Sequence, residues 1–84
     1  MSYALRILPY AEKQLSRLNS PIYDSVKAKI FELRDTPRSP GCQKLRDREG
    51  WRIRVGDYRV IYKINDIEKT VAVLQIGHRS DVYR

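Results

Sequence analysis

Residues 51–62 constrain the fold of this chain more than any other stretch. Residues 51–55 alternate between apolar and basic, residues 58–64 alternate again, and Gly56-Asp57 stands between them. A two-residue loop with glycine first is the composition of a type II′ turn, whose twist matches that of the strands it joins. The loop fixes the register. Val55 then faces Tyr58, Ile53 faces Val60 and Trp51 faces Tyr62. All of these point to one side and make an apolar surface suited to packing on helices.

The opposite side of the hairpin follows without further assumption. Arg54 lies directly across from Arg59, Arg52 lies across from Ile61, and Lys63 is on the same face further along. Like charges directly opposed on a sheet cost from a few tenths of a kcal/mol up to about 1 kcal/mol. Neither strand supplies an acidic residue on that face. A slip of one residue would bury the arginines and expose Trp51, so the register itself predicts the crowding. Folding does not explain such a local conflict, and local conflicts tend to mark functional sites. Guanidinium groups offer planar, forked donors that match phosphate oxygens, so the predicted site holds an anion. The alternative is that the arginines splay into water or pair with an acid from the final segment.

The rest of the chain supplies a support for this hairpin. Residues 3–8 read as a first strand ending at Pro9, which can open a helix at its first turn. Ala11, Leu15 and Leu18 share one face of that helix, with Lys13, Gln14 and Arg17 toward solvent. Ser20 is a suitable N-cap for a second helix, with Pro21 at its first position and Asp24 in its first turn. Ile22, Val26, Ile30 and Leu33 form the buried stripe of this helix, which ends before Pro37. Residues 36–50 are the longest irregular stretch, with a short strand expected at residues 44–46. Residues 71–76 are apolar apart from Gln75, which suggests a central strand, and Asn65-Asp66 marks the turn before it. Strand, two helices, then a meander predicts an α+β fold: a two-helix hairpin packed on one face of a mostly antiparallel sheet.

Charge narrows the class of partner. The chain has 84 residues and a net charge of +7, enough for a single domain over residues 1–84 and basic enough to attract a polyanion. Cys42 is the sole cysteine, so no intrachain disulfide forms. No cluster of metal-ligand residue types is evident, and no cofactor is expected. With no apolar run near the length of a membrane span and no signal-peptide core, the expected location is the cytoplasm. The last residues, Gly77-His78-Arg79-Ser80-Asp81-Val82-Tyr83-Arg84, hold the one histidine. Strand alternation puts Gln75 and Arg79 on one face and His78 on the other.

The run from Trp51 to Tyr62, followed by Ile76-Gly77-His78-Arg79-Ser80-Asp81-Val82-Tyr83, resembles the RelE/ParE superfamily of bacterial toxins. Ala11-Glu12-Lys13-Gln14-Leu15 with Leu18, and Lys44-Leu45 ahead of the hairpin, are similar too. The resemblance covers nearly the whole chain, and Gly77-His78-Arg79 with the terminal tyrosine looks more like the RelE branch. It implies a ribosome-dependent mRNA endonuclease of a type II toxin–antitoxin system, acting on mRNA in the ribosomal A site and neutralised by a cognate, RelB-like antitoxin. By motif position, the basic and aromatic roles around the mRNA fall on Arg52, Arg54, Arg59, Arg79 and Tyr83. Some members of the branch carry lysines where this chain has Arg52 and Arg54. Arginine hardly gives up its proton, so these positions are unsuited to a general-base role.

Cleavage of RNA needs a base for the 2′-hydroxyl, cations for the phosphorane-like transition state and an acid for the leaving 5′-oxygen. Histidine is the side-chain type that ordinarily titrates near neutrality, so the expected catalytic set is His78 as base or acid, Arg54 and Arg59 as phosphate clamp, Arg79 adding positive potential and Tyr83 stacking on a base. Lys44, Arg46, Arg48, Arg52 and Lys63 are expected to bind RNA. A solvated loop is the plainer account of Lys44, Arg46 and Arg48. Two other functions fit the same residues: a ParE-like inhibitor that binds DNA gyrase, and an inactive chain that serves only as partner in a repressor complex.

Overall fold

The structure, a computed structural model, describes residues 2–78. Its elements run β1 (Ala4–Ile7), α1 (Pro9–Ser16), α2 (Ile22–Glu32), β2 (Gln43–Lys44), β3 (Trp51–Val55), β4 (Tyr58–Asn65) and β5 (Thr70–His78). The strands form one five-stranded sheet in the order β1-β5-β4-β3-β2. β1 runs parallel to β5 and all other pairs are antiparallel. The α+β arrangement expected from the sequence is the one observed. No helix among the described residues is long and apolar enough to cross a membrane.

The helices form where the apolar spacing places them. Leu8 is extended at the N-cap of α1 and Pro9 takes the first helical position, where its missing N–H costs nothing. Ala11 and Leu15 from α1 and Val26, Ile30 and Leu33 from α2 are buried against Ile53, Val60, Tyr62, Val71, Val73 and Ile76 from the sheet. The second helix begins at Ile22, with Pro21 at the cap position. Ser20 does not cap it as expected: its hydroxyl donates to Asp24 Oδ2 at 3.0 Å, so the side chain engages the first-turn carboxylate instead of a backbone N–H.

Gln14 also departs from expectation. Helical spacing turned it toward solvent, yet its Oε1 accepts a 2.7 Å hydrogen bond from the backbone N–H of Ile76. β1 pairs with β5 only as far as Ile7 opposite Val73, so the N–H groups of β5 that point away from β4 beyond that residue lose their strand partner. Gln14 meets one of them, because a part-buried N–H left unpaired is costly.

Tyr62 ties the long irregular segment to the core. It is fully buried, and its hydroxyl donates to the carbonyl of Pro37 at 2.7 Å. Burial pushes the phenol well above the usual tyrosine range, with Cys42 beside it adding to the effect. The short strand in this segment falls at Gln43–Lys44 and pairs with β3, so the strand expected at residues 44–46 begins one residue earlier. Leu45 leaves the ladder to donate its N–H to the Gly50 carbonyl at 3.0 Å.

Candidate nucleic-acid interface

The hairpin has the register that its turn chemistry dictates. Val55 pairs with Tyr58, Ile53 with Val60 and Trp51 with Tyr62, while Arg54 pairs with Arg59 and Arg52 with Ile61. Gly56 has φ +60°, the conformation that the first turn position of a type II′ loop requires. Across the sheet the basic face is built in rows. One row runs Arg54, Arg59, Gly77; the next runs Gln43, Arg52, Ile61, Gln75. The first row ends on a residue without a side chain, which lowers the surface beside Arg59.

This face is less open than the hairpin alone suggests. Arg59 is only 7% exposed and Ile61 1%, although Ile61 lies outside the core shared with the helices. The segment between β2 and β3 folds back over the sheet: Arg48 Nη2 donates to Gln75 Oε1 at 3.4 Å, and Gln75 is the cross-strand partner of Ile61. Arg48 therefore reaches over β4 on the same side as the arginines. Burial, and then the charge of Arg54 beside it, push Arg52 below the ordinary arginine value. Arg54 itself is exposed. The observed site is a partly enclosed basic recess, with Arg54 at its mouth and Arg59 set into its floor.

The recess takes up some of the expected site residues and not others. Arg52, Arg54 and Arg59 share it, and Arg48 closes one side. Lys44 pairs with Trp51, and so falls on the opposite side of the sheet from Gln43 and Arg52. Lys63 is exposed at the far end of β4, where it borders a small cleft with Lys44, Arg38 and Trp51. Arg46 lines a second cleft beside β2. His78 pairs with Tyr58, so it stands on the face opposite Arg59, with its ring edge-on to Tyr58 at 5.6 Å between centroids. The register does not bring His78 onto the arginine face. Arg79 and Tyr83 lie outside the described residues.

One arrangement had no local signal in the sequence. Arg38 grips Asp66 with both terminal nitrogens, at 3.2 and 2.8 Å, and its guanidinium lies 5.2 Å from the centroid of the Trp51 ring. Tyr3 adds a 2.7 Å hydrogen bond to the same carboxylate. These donors hold Asp66 at about 2, below the usual carboxylate range, with Arg38 the largest cause and Tyr3 the next. The cluster fixes the segment leading into β2 against the β4–β5 turn, and so sets where Gln43 enters the sheet.

A recess of arginines on a five-stranded sheet, backed by a two-helix hairpin, defines a small basic α+β domain suited to an anionic partner. Residues 5–83 match the family described as ParE toxin of type II toxin–antitoxin system, parDE, and the chain belongs to that family. It is 34% identical over 86 aligned positions to the toxin RelG of Mycobacterium tuberculosis, covering 100% of this chain and 99% of that one. It is 29% identical over 93 positions to the mRNA interferase toxin RelE of Escherichia coli K12, covering 99% and 92%. Among solved structures, the RelBE2 toxin–antitoxin complex of M. tuberculosis superposes with a TM-score of 0.82 at 30% identity, covering 94% of this chain and 100% of that one.

Proposed function

We propose that this toxin is a ribosome-dependent mRNA endonuclease whose hairpin arginines hold the scissile phosphate. The observation that carries this reading is the pairing of Arg54 with Arg59, with Arg52 beside them, on a face to which neither hairpin strand contributes an acid. Three guanidinium groups gathered at a half-enclosed surface stabilise a dianionic, phosphorane-like group more than they do a singly charged phosphodiester. That difference is what lowers a barrier. The likeness to toxins named RelE and RelG supports mRNA as the substrate.

Proton transfer stays with the C-terminal segment. His78 is assigned the base or acid; it stands on the Tyr58 side of the sheet, so the role requires the bound RNA to pass the end of β5, with Arg79 adding positive potential and Tyr83 stacking on a base, a contact worth about 1–3 kcal/mol. Arg46 and Arg48 contact RNA beside the recess, and Lys44 and Lys63, which lie away from it, contact RNA outside the active site. The reaction as written needs no metal, so cleavage is expected to survive a chelator. The partner is a RelB-type antitoxin, as in the complexes of the relatives, presenting acidic residues to the basic chain. A hollow of about 460 Å³ between β1 and the helices, walled in part by Leu5, Ile7, Tyr23 and Phe31, supports an antitoxin element on the helix pair.

The test is a translation reaction with primer extension on a reporter mRNA. In-frame cuts that need ribosomes, and that fall at least tenfold with Arg59→Ala (about 1.4 kcal/mol), are the expected result. Uncut mRNA rejects the reading. Loss of rate and of a near-neutral limb in the pH profile with His78→Ala supports its assignment, whereas an unchanged rate and profile pass the proton to another group. The family description names ParE, so gyrase inhibition is the second reading. Gyrase-dependent DNA breaks with intact mRNA would establish it.

A further inference from the structure

We propose that the cleft beside β2 is a nucleobase subsite in which Gln43 reads the edge of a base. This rests on the RNA-binding reading above. The cleft has a volume of about 410 Å³ and is walled by Gln43, Lys44, Leu45, Arg46, Asp47 and Arg52, within the range of clefts that hold small ligands, about 300–1,000 Å³. Arg52 belongs both to this cleft and to the arginine recess. It is two residues from Arg54 along an extended strand, roughly 6.6 Å, so a strand whose phosphate sits at Arg54 carries a neighbouring nucleotide to the cleft.

The chemistry of the walls suits a base better than a second phosphate. Leu45 gives an apolar surface, and it is fixed in place by its N–H bond to the Gly50 carbonyl at 3.0 Å and by packing over Gly50. Asp47 repels a phosphate but accepts from a base N–H. Gln43 accepts a hydrogen bond from Arg52 Nη2 through Oε1. Arginine can only donate, so this contact fixes the amide: the oxygen faces Arg52, and the NH₂ group with its two donors is turned away from it. Gln43 therefore offers donors alone to a base, and it ranks bases by how closely an edge acceptor is brought to that NH₂ group. Its orientation is set by the same arginine that serves the recess.

The experiment titrates the purified chain with four short RNA oligonucleotides that differ at one base. Affinity and the side-chain NH₂ resonances of Gln43 are followed. One or two bases should bind about threefold to tenfold tighter, the worth of one hydrogen bond, and should shift those resonances. Gln43→Glu keeps the Arg52 contact through one oxygen and offers an acceptor with the other, so the ranking should move toward amino-bearing bases. Gln43→Ala should flatten it. Equal binding of all four by the unaltered chain, or a ranking that neither variant changes, overturns the subsite. Discrimination without ribosomal cleavage would reject the nuclease reading alone. Cleavage with one codon preference shared by all three chains would reject the subsite alone.

Discussion

Replacing Arg54 by glutamine should stabilise the fold while weakening its grip on RNA. Arg54 and Arg59 are directly opposed, and side chains so placed start about 5 Å apart at Cβ. Two unit charges near 6 Å repel by roughly 0.7 kcal/mol in a water-like medium. Arg59 is 93% buried by its 7% exposure, which raises the figure, whereas splaying of the exposed Arg54 and salt lower it. A gain of about 0.5–1 kcal/mol follows, equivalent to about 2–8 °C in Tm for a domain of this size. Arg54→Lys keeps the charge and should gain much less. In 1 M salt, where the screening length is about 3 Å, the glutamine and wild-type chains should converge. Removing one phosphate contact should also reduce the salt slope of single-stranded RNA binding by about 0.7. Urea denaturation at low and high salt measures the first effect and anisotropy titration the second. A glutamine variant less stable than wild type at low salt, or a lysine variant equally stabilised, would refute the claim that these arginines are held together at a cost.

Three further outcomes follow from the geometry. Gln14→Leu removes the acceptor for the Ile76 N–H and should cost about 1–2 kcal/mol, with faster hydrogen exchange at that amide. Asp66 has a folded value of about 2, depressed from 3.8, so the stability it contributes is present above the unfolded value and lost as pH falls through about 2. The difference in Tm between wild type and Asp66→Asn should be level above about pH 4, shrink toward pH 2, and weaken in salt because the cluster is exposed. Gly50→Ala should cost about 1–3 kcal/mol by chemical denaturation, since Gly50 has φ +134° and an added Cβ would stand 3.3 Å from both Leu45 Cδ1 and the Tyr62 carbonyl.

The hairpin was legible in the sequence because two independent signals agree on it: a turn with one favoured geometry, and an alternation with a period of two. Elsewhere one of these was missing. Residues 71–74 are apolar on both faces, so nothing in them reveals the irregularity by which Ile61 pairs with Gln75 while Tyr62 pairs with Val73. The burial of Arg59 and Ile61 could not be seen from the hairpin strands, and over Ile61 the β2–β3 segment brings Arg48 to the neighbouring Gln75. Gln14 was turned outward by its place on the helix, and only the early end of β1 gives it a backbone partner. Arg38 and Asp66 are 28 positions apart, with no periodicity to connect them.

The partial enclosure explains why this recess is made of arginine. Burial and a neighbouring cation both oppose a positive charge, and both lower Arg52. A lysine under the same influences starts from about 10.4 and moves toward the range where it is neutral part of the time, whereas arginine starts from above about 12 and remains charged. A surface that crowds cations at a half-buried position therefore keeps its full charge only with guanidinium groups. The same permanence disqualifies them from moving a proton. In the proposed reaction, holding and proton transfer then fall to different residues; Arg59 and Gly77 share one row on the basic face, while Tyr58 and His78 form the adjacent row on the other. A substitution that brings a titrating group to the arginine face, such as Arg52→Lys, should add a new ionisation to the pH profile of cleavage at a value below that of an ordinary lysine. A profile identical to that of the unaltered chain would mean that enclosure does not govern charge in the recess.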